Sequence, residues 1–224
     1  MDIAVLSLIL ASMGLIVSLL TFYFTHLKRH QVNVVAGPFT KIYHADYDDK
    51  YATGLYLPMT FFNTSSGAGV VDKTALEVFS IANPDKRFFI QGKSFSELDV
   101  GKNQWKNKEI AHAIPVLGKS SVHKTIQYYW TSLNEDRLCF VEGSYILELV
   151  YWIVGDPNPH KRTYELTIDK HTEAKLAGFR ERRKSTTVDV MMNKELAFNR
   201  ILSKYESATM LGASIPNKLL KSDG

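Results

Sequence analysis

Twenty-two consecutive residues near the start of the chain, Ile3 to Phe24 (IAVLSLILASMGLIVSLLTFYF), carry no charge. No other feature restricts the fold as strongly. As a helix the run is roughly 33 Å long at 1.5 Å per residue, which matches a hydrocarbon core of about 30 Å. Thirteen of its residues are Leu, Ile, Val or Phe. Insertion scales give each of these about −0.3 to −0.6 kcal/mol at a helix centre, roughly −4 to −8 kcal/mol in all as an upper bound. That outweighs three serines, Thr21 and Gly14. A core helix of this length would carry a polar face, and this run has none. A secretory leader has a basic start, a shorter apolar stretch and a small-residue cleavage site. Here Asp2 precedes the run, and bulky Phe22, Tyr23 and Phe24 close it. The run is expected to be retained as a transmembrane helix.

Lys28 and Arg29 follow the run, with His26 and His30 beside them, while Met1 and Asp2 precede it. Cations flanking a span are kept on the cytoplasmic side. The expected topology is N-terminus out, with roughly 195 residues in the cytoplasm. Within the run, Ala4, Ser7, Ala11, Gly14, Ser18 and Thr21 recur at steps of three and four. Small side chains on one helix face let backbones approach in lipid, so this stripe is the expected self-association face and the chain an expected homo-oligomer.

The single cysteine, Cys139, forms no intramolecular disulfide, which fits a reducing compartment. Residues 1–170 hold 17 Lys+Arg against 17 Asp+Glu, and residues 171–224 hold ten against six, so the net +4 sits in the C-terminal stretch. A pI near 9.0 therefore gives no reason to expect a nucleic-acid partner for the body of the chain.

From Gln31 to Asp169 short runs of β-branched and aromatic residues alternate with turn chemistry. The expected strands are Val32–Val35, Gly54–Asn63, Val70–Ala82, Phe88–Gln91, Glu109–Val116, Ser121–Trp130, Tyr145–Val154 and Arg162–Lys170. Leu55, Leu57, Met59 and Phe61 share one face of a strand, as do Leu147, Leu149, Tyr151 and Ile153. NTSSGAG (Asn63–Gly69), NPDK (Asn83–Lys86), NED (Asn134–Asp136) and GDPNPH (Gly155–His160) punctuate them. Asn63 is expected to bond backbone two residues on, with Gly67 and Gly69 permitting the reversal. The fold class expected is mainly β: a transmembrane helix (1–25), a basic linker (26–31), an antiparallel immunoglobulin-like β-sandwich (32–170) and a basic tail with a short helix (171–224).

The stretch LYLPMTFFNTSSGAGVVDKTALEVF, Leu55 to Phe79, resembles the strand–turn–strand of a loose group of uncharacterised bacterial single-pass proteins. Phe61, Asn63, Gly69, Val71 and Asp72 carry the match. The resemblance implies an immunoglobulin-like domain behind an N-terminal span, and no assigned activity.

Signatures of chemistry are sparse. The seven histidines (His26, His30, His44, His112, His123, His160, His171) include no HExxH, and no CxxC completes a zinc set. HADYDDK gathers Asp46, Asp48 and Asp49 without the Gly and closing Glu of a calcium loop. Phosphate-loop and nucleophile-elbow motifs are missing from the sequence. Cys139, between Leu138 and Phe140, reads as a small buried hydrophobe. In the tail, Lys175, Arg180, Arg182, Arg183 and Lys184 form a basic cluster that would meet anionic inner-leaflet lipid. Thr187–Met192 alternates like a strand, and Asn193 would cap a helix to about Ser207.

The expected function is a membrane-anchored, non-enzymatic interaction or scaffold protein. Its partners would be the bilayer, a second copy and an unidentified protein, with no metal or other cofactor. An exported, membrane-tethered sandwich that binds a glycan or peptide is the alternative, and a hydrolase built on the Asp46–Asp49 loop a third reading.

Overall fold

The structure, a computed structural model, describes residues 3–24, 29–47, 50–99, 101, 104–131, 136–184 and 186–192. The first element, α1 (Ile3–Phe22), is exposed along its whole length and buries nothing against the rest of the chain. Its mean hydropathy of 2.6 and 20 residues make it long and apolar enough to cross a membrane.

Among the described residues eleven strands follow: β1 (Val32–Ala36), β2 (Phe39–Tyr47), β3 (Lys50–Asn63), β4 (Gly69–Ser80), β5 (Asn83–Asp99), β6 (Gln104–Ile110), β7 (Ile114–Val116), β8 (Ser121–Thr131), β9 (Gly143–Ile153), β10 (His160–Ile168) and β11 (Val188–Met191). A second helix, α2 (Lys170–Glu181), joins β10 to β11. All named pairings are antiparallel, and the main path runs β10-β9-β4-β5-β8-β3-β2-β11. Leu166 of β10 then pairs with Met192, just past β11. The two ends of the path thus meet, and the sheet is barrel-like. An immunoglobulin sandwich has two separate packed sheets; here eight strands form one continuous path, and β1, β6 and β7 pair onto it through β3, β5 and β4. The expectation of a mainly β, antiparallel fold holds at that coarser level.

β5 makes the curvature. Its first half pairs with β4 and its second half with β8 and β6, the change coming at Gly92. A Cβ there would lie 2.8 Å from Thr74 Oγ1 and 3.0 Å from Ile126 Cγ2. Glycine lets the bend close over those neighbours.

The interior is apolar in the way alternation dictates. Leu55, Leu57, Met59 and Phe61 of β3 are buried together with Leu147, Leu149, Tyr151 and Ile153 of β9, Ile126 and Tyr128 of β8, and Leu76 and Val78 of β4. Tyr128 is fully buried, and its hydroxyl donates to Thr74 Oγ1 at 3.0 Å. On the outer face of β2, β3 and β8 lies a second, polar layer. Tyr43 stacks on Tyr56 at 5.0 Å, and Gln127 Nε2 donates to both hydroxyls. Gln127 Oε1 accepts from Ser94, and Trp105 stacks on Tyr56 at 5.1 Å.

Several boundaries differ from the sequence reading. The first four residues of HADYDDK are strand: Lys41–Tyr47 of β2 pairs with β3, because Ile42 and His44 alternate inward against its polar residues. Asn83–Lys86 opens β5 instead of forming a turn; the reversal falls at Ile81–Ala82. The strand expected at Glu109–Val116 is broken at 111–113, leaving β6 and β7 on different partners. α2 and β11 pack with the strands: Leu176, Val188, Val190 and Met192 are buried in the same core. The helix expected at Asn193–Ser207 lies outside the described residues.

Candidate functional site at the α1 end of the barrel

Strand direction gives the barrel two ends. β3, β9 and β1 bring Asn63, Ile153 and Val32 to the end nearest α1. The Tyr47–Lys50 pair of β2 and β3, Ile81 and α2 lie at the far end.

At the near end one side chain organises the β3–β4 turn. Asn63, 3% exposed, accepts at Oδ1 from Ser65 N (3.1 Å), Ser65 Oγ (2.9 Å) and Gln31 N (3.2 Å). Its Nδ2 donates to Gly67 O at 2.7 Å and Val116 O at 3.3 Å. The local turn expected at Asn63 is present, and it also ties in the segment that follows α1. Gly69 serves close approach here: a Cβ would lie 2.5 Å from Val32 Cγ2 and 3.1 Å from His30 Cβ. Ser66 Oγ then donates to Phe24 O at 2.7 Å, directly joining the barrel to the end of the apolar run.

A second tie is ionic. Arg29 Nη2 donates to Asp156 Oδ1 at 2.7 Å and to Gly155 O. His160 Nε2 lies 2.8 Å from Asp156 Oδ2, and His30 Nε2 3.8 Å from Oδ1. The hydrogen bond from His160, together with the charges of Arg29 and His30, holds the Asp156 carboxyl below the usual carboxylate range. Gly155 turns the chain with φ +89°, a region other residues rarely enter. His160 in turn stacks on Tyr151 at 5.3 Å. One carboxylate therefore gathers a guanidinium and two imidazoles from segments far apart in sequence. The arrangement grips; it presents no nucleophile beside a base.

The far end holds a different cluster. His44, 3% exposed, has Nδ1 within 2.8 Å of Tyr51 Oη and 3.1 Å of Thr53 Oγ1. Thr53 gives its proton to Leu138 O. Tyr51 Oη faces Arg180 and receives Cys139 Sγ at 3.8 Å, so its own proton goes to His44 Nδ1. This network assigns the proton of the neutral ring to Nε2. That atom is buried and has no hydrogen-bond partner among the described residues. His44 borders a recess of about 10 Å³ lined also by Tyr51, Phe179, Arg180 and Arg183. Burial, and then the Arg180 charge, lower the His44 pKa to about 4.

The residues singled out from sequence distribute as follows. Ala4, Ser7, Ala11, Gly14, Ser18 and Thr21 lie on α1, with the Ser7 and Thr21 hydroxyls turned back onto Ala4 O (2.9 Å) and Val17 O (2.8 Å). Arg29 is committed to Asp156, while Lys28 and His26 lie outside the described residues. Lys175 and Arg180 sit on α2, with Arg182, Arg183 and Lys184 just beyond it, all at the end of the barrel away from α1. Cys139 is half-buried, beside Tyr51. Asp46 is in β2, opposite Tyr51; Asp48 and Asp49 lie outside the described residues. Among the described residues no group of three or more His, Cys, Asp or Glu is placed to hold a metal. Sequence reasoning missed Asp156, Asn63 as a tie to Gln31, and His44; only the Pro-flanked turn GDPNPH marks the first.

No family model matches the chain, and no curated protein matches it. An X-ray structure of a Northeast Structural Genomics Consortium target, SoR45, is similar over 78% of this chain and 95% of its own, at 8% identity and a TM-score of 0.30. So slight a likeness carries no argument.

Proposed function

We propose that this chain is a single-pass membrane protein in which α1 is the anchor and the barrel a non-enzymatic interaction body held against the bilayer. The observation that supports this most is the contrast at residue 24. Every side chain of α1 is exposed, so the barrel offers it no burial, and an apolar helix left in water is costly. Yet the segment just past α1 is bonded to the barrel through the Phe24 carbonyl, the Arg29 guanidinium and the Gln31 N–H. A segment destined only for removal has no need of such ties. The cations Lys28 and Arg29 favour a cytoplasmic barrel, and the small-residue face of α1 favours pairing with a second copy. The single-pass group that Leu55–Phe79 resembles has the same anchored layout.

Fractionation tests the anchor: the full-length chain is expected in the membrane pellet after carbonate washing, with Ile3–Phe24 still present by N-terminal mass mapping. A soluble product, or one lacking that run, overturns the proposal. C-terminal reporter fusions test the side: an active phosphatase would place the barrel outside.

A further inference from the structure

We propose that the near-end rim of the barrel docks on lipid, with Leu117 and Val154 inserted at the headgroup level of the leaflet that α1 enters. This rests on the anchored reading above and adds a contact surface to it. Phe24 is the last residue of the uncharged run, so its carbonyl marks the boundary between hydrocarbon and headgroups. Ser66 Oγ is one hydrogen bond from that carbonyl. The loop carrying Ser66 is therefore at the membrane surface.

Two other turns are fastened to that loop or to its neighbours. Gly118 packs so closely on Ser66 that a Cβ would lie 1.9 Å from Ser66 O, and Lys119 N donates to Ser65 O at 2.8 Å. Leu117, beside them, is 67% exposed. On the other side, Val154 N donates to Val70 O at 2.9 Å, while the next residue, Gly155, accepts from Arg29. Val154 is 55% exposed. Two separate turns thus present a large apolar side chain at one end of the barrel, beside the point where the span leaves lipid.

The surrounding chemistry fits the same occupant. Lys119 is exposed at this rim, and a cation there meets lipid phosphates. Trp152, in β9 two residues before Val154, has Lys73 Nζ 5.1 Å over its ring. Tryptophan and lysine are the residues that membrane interfaces accommodate.

The test uses full-length chain in lipid nanodiscs, in a Cys139→Ser background that keeps a hydroxyl donor toward Tyr51; Cys139→Ala substitutes if that background melts early. Single cysteines at Val17, Leu117, Val154 and, at the far end, Ile81 carry an environment-sensitive fluorophore. Quenching by lipids spin-labelled at the headgroup or deep in the chain reads their depth. Expected are deep quenching at position 17, headgroup-level quenching severalfold above background at 117 and 154, and background at 81. If 17 is quenched while 117 and 154 behave like 81, the rim proposal fails and the anchor stands. If 17 itself is not quenched, both fail.

Discussion

At the residue scale, the packing makes two demands that a substitution can expose. His44 is neutral in the fold with a pKa of about 4, against an ordinary value of 6.5. The charged and polar groups around it are Tyr51 and Thr53 on β3, Cys139, Arg180 on α2 and Arg183 just after it. The unfolded chain thus binds the extra proton first. Stability contributed by neutral His44 is complete above about pH 6.5 and is lost as pH falls toward 4, by about 3 kcal/mol in all. Denaturant melts of the wild type are expected to weaken over that window, and those of His44→Gln to lose most of the slope. An unchanged slope would place the titration elsewhere. The second demand is at Gly54, where a Cβ would lie 2.1 Å from the Tyr43 ring. Gly54→Ala must displace Tyr43 and its bond from Gln127, an overpacking cost of about 1–3 kcal/mol. Combining it with Tyr43→Val should cost less than the sum of the two changes; strict additivity would show that the ring is not the obstacle. Neither demand was legible in advance, since Gly54 and Tyr43 meet across a strand pair and alternation says nothing about which ring crosses.

At the scale of elements, legibility followed apolar alternation. β3 and β9 were readable because each carries four consecutive inward hydrophobes. β2 was not, since its inward positions include Thr40 and His44, and the acids at its end read as loop. α2 hides for a related reason: Leu176 is its buried residue among many charges. β11, though short, has a large task. It covers the edge of β2 and, through Met192, meets β10. Ending the chain after residue 187 leaves both edges unpaired, and such edges recruit other chains. The truncated protein is expected to elute as large aggregates in size-exclusion chromatography, where the full chain gives a discrete species. In α1, a Cβ at Gly14 meets nothing within 4 Å. Gly14→Leu is thus tolerated by the protomer, and in a membrane two-hybrid assay it should reduce self-association severalfold by holding helix backbones apart. An unchanged signal would mean that copies do not meet through this face.

At the scale of the molecule, the arrangement depends on contacts between distant parts of the sequence. Arg29 and Asp156 are 127 positions apart. GDPNPH announced a turn, and nothing in it announced a partner. The bond from Ser66 to Phe24 and the grip of Asp156 on Arg29 lie on either side of a short step from helix to barrel. A tether held at two points transmits rotation as well as position. If two copies pair through α1, as proposed, the azimuth of the helix is passed to the barrels, and the helix face used then also sets which sides of the two barrels confront each other.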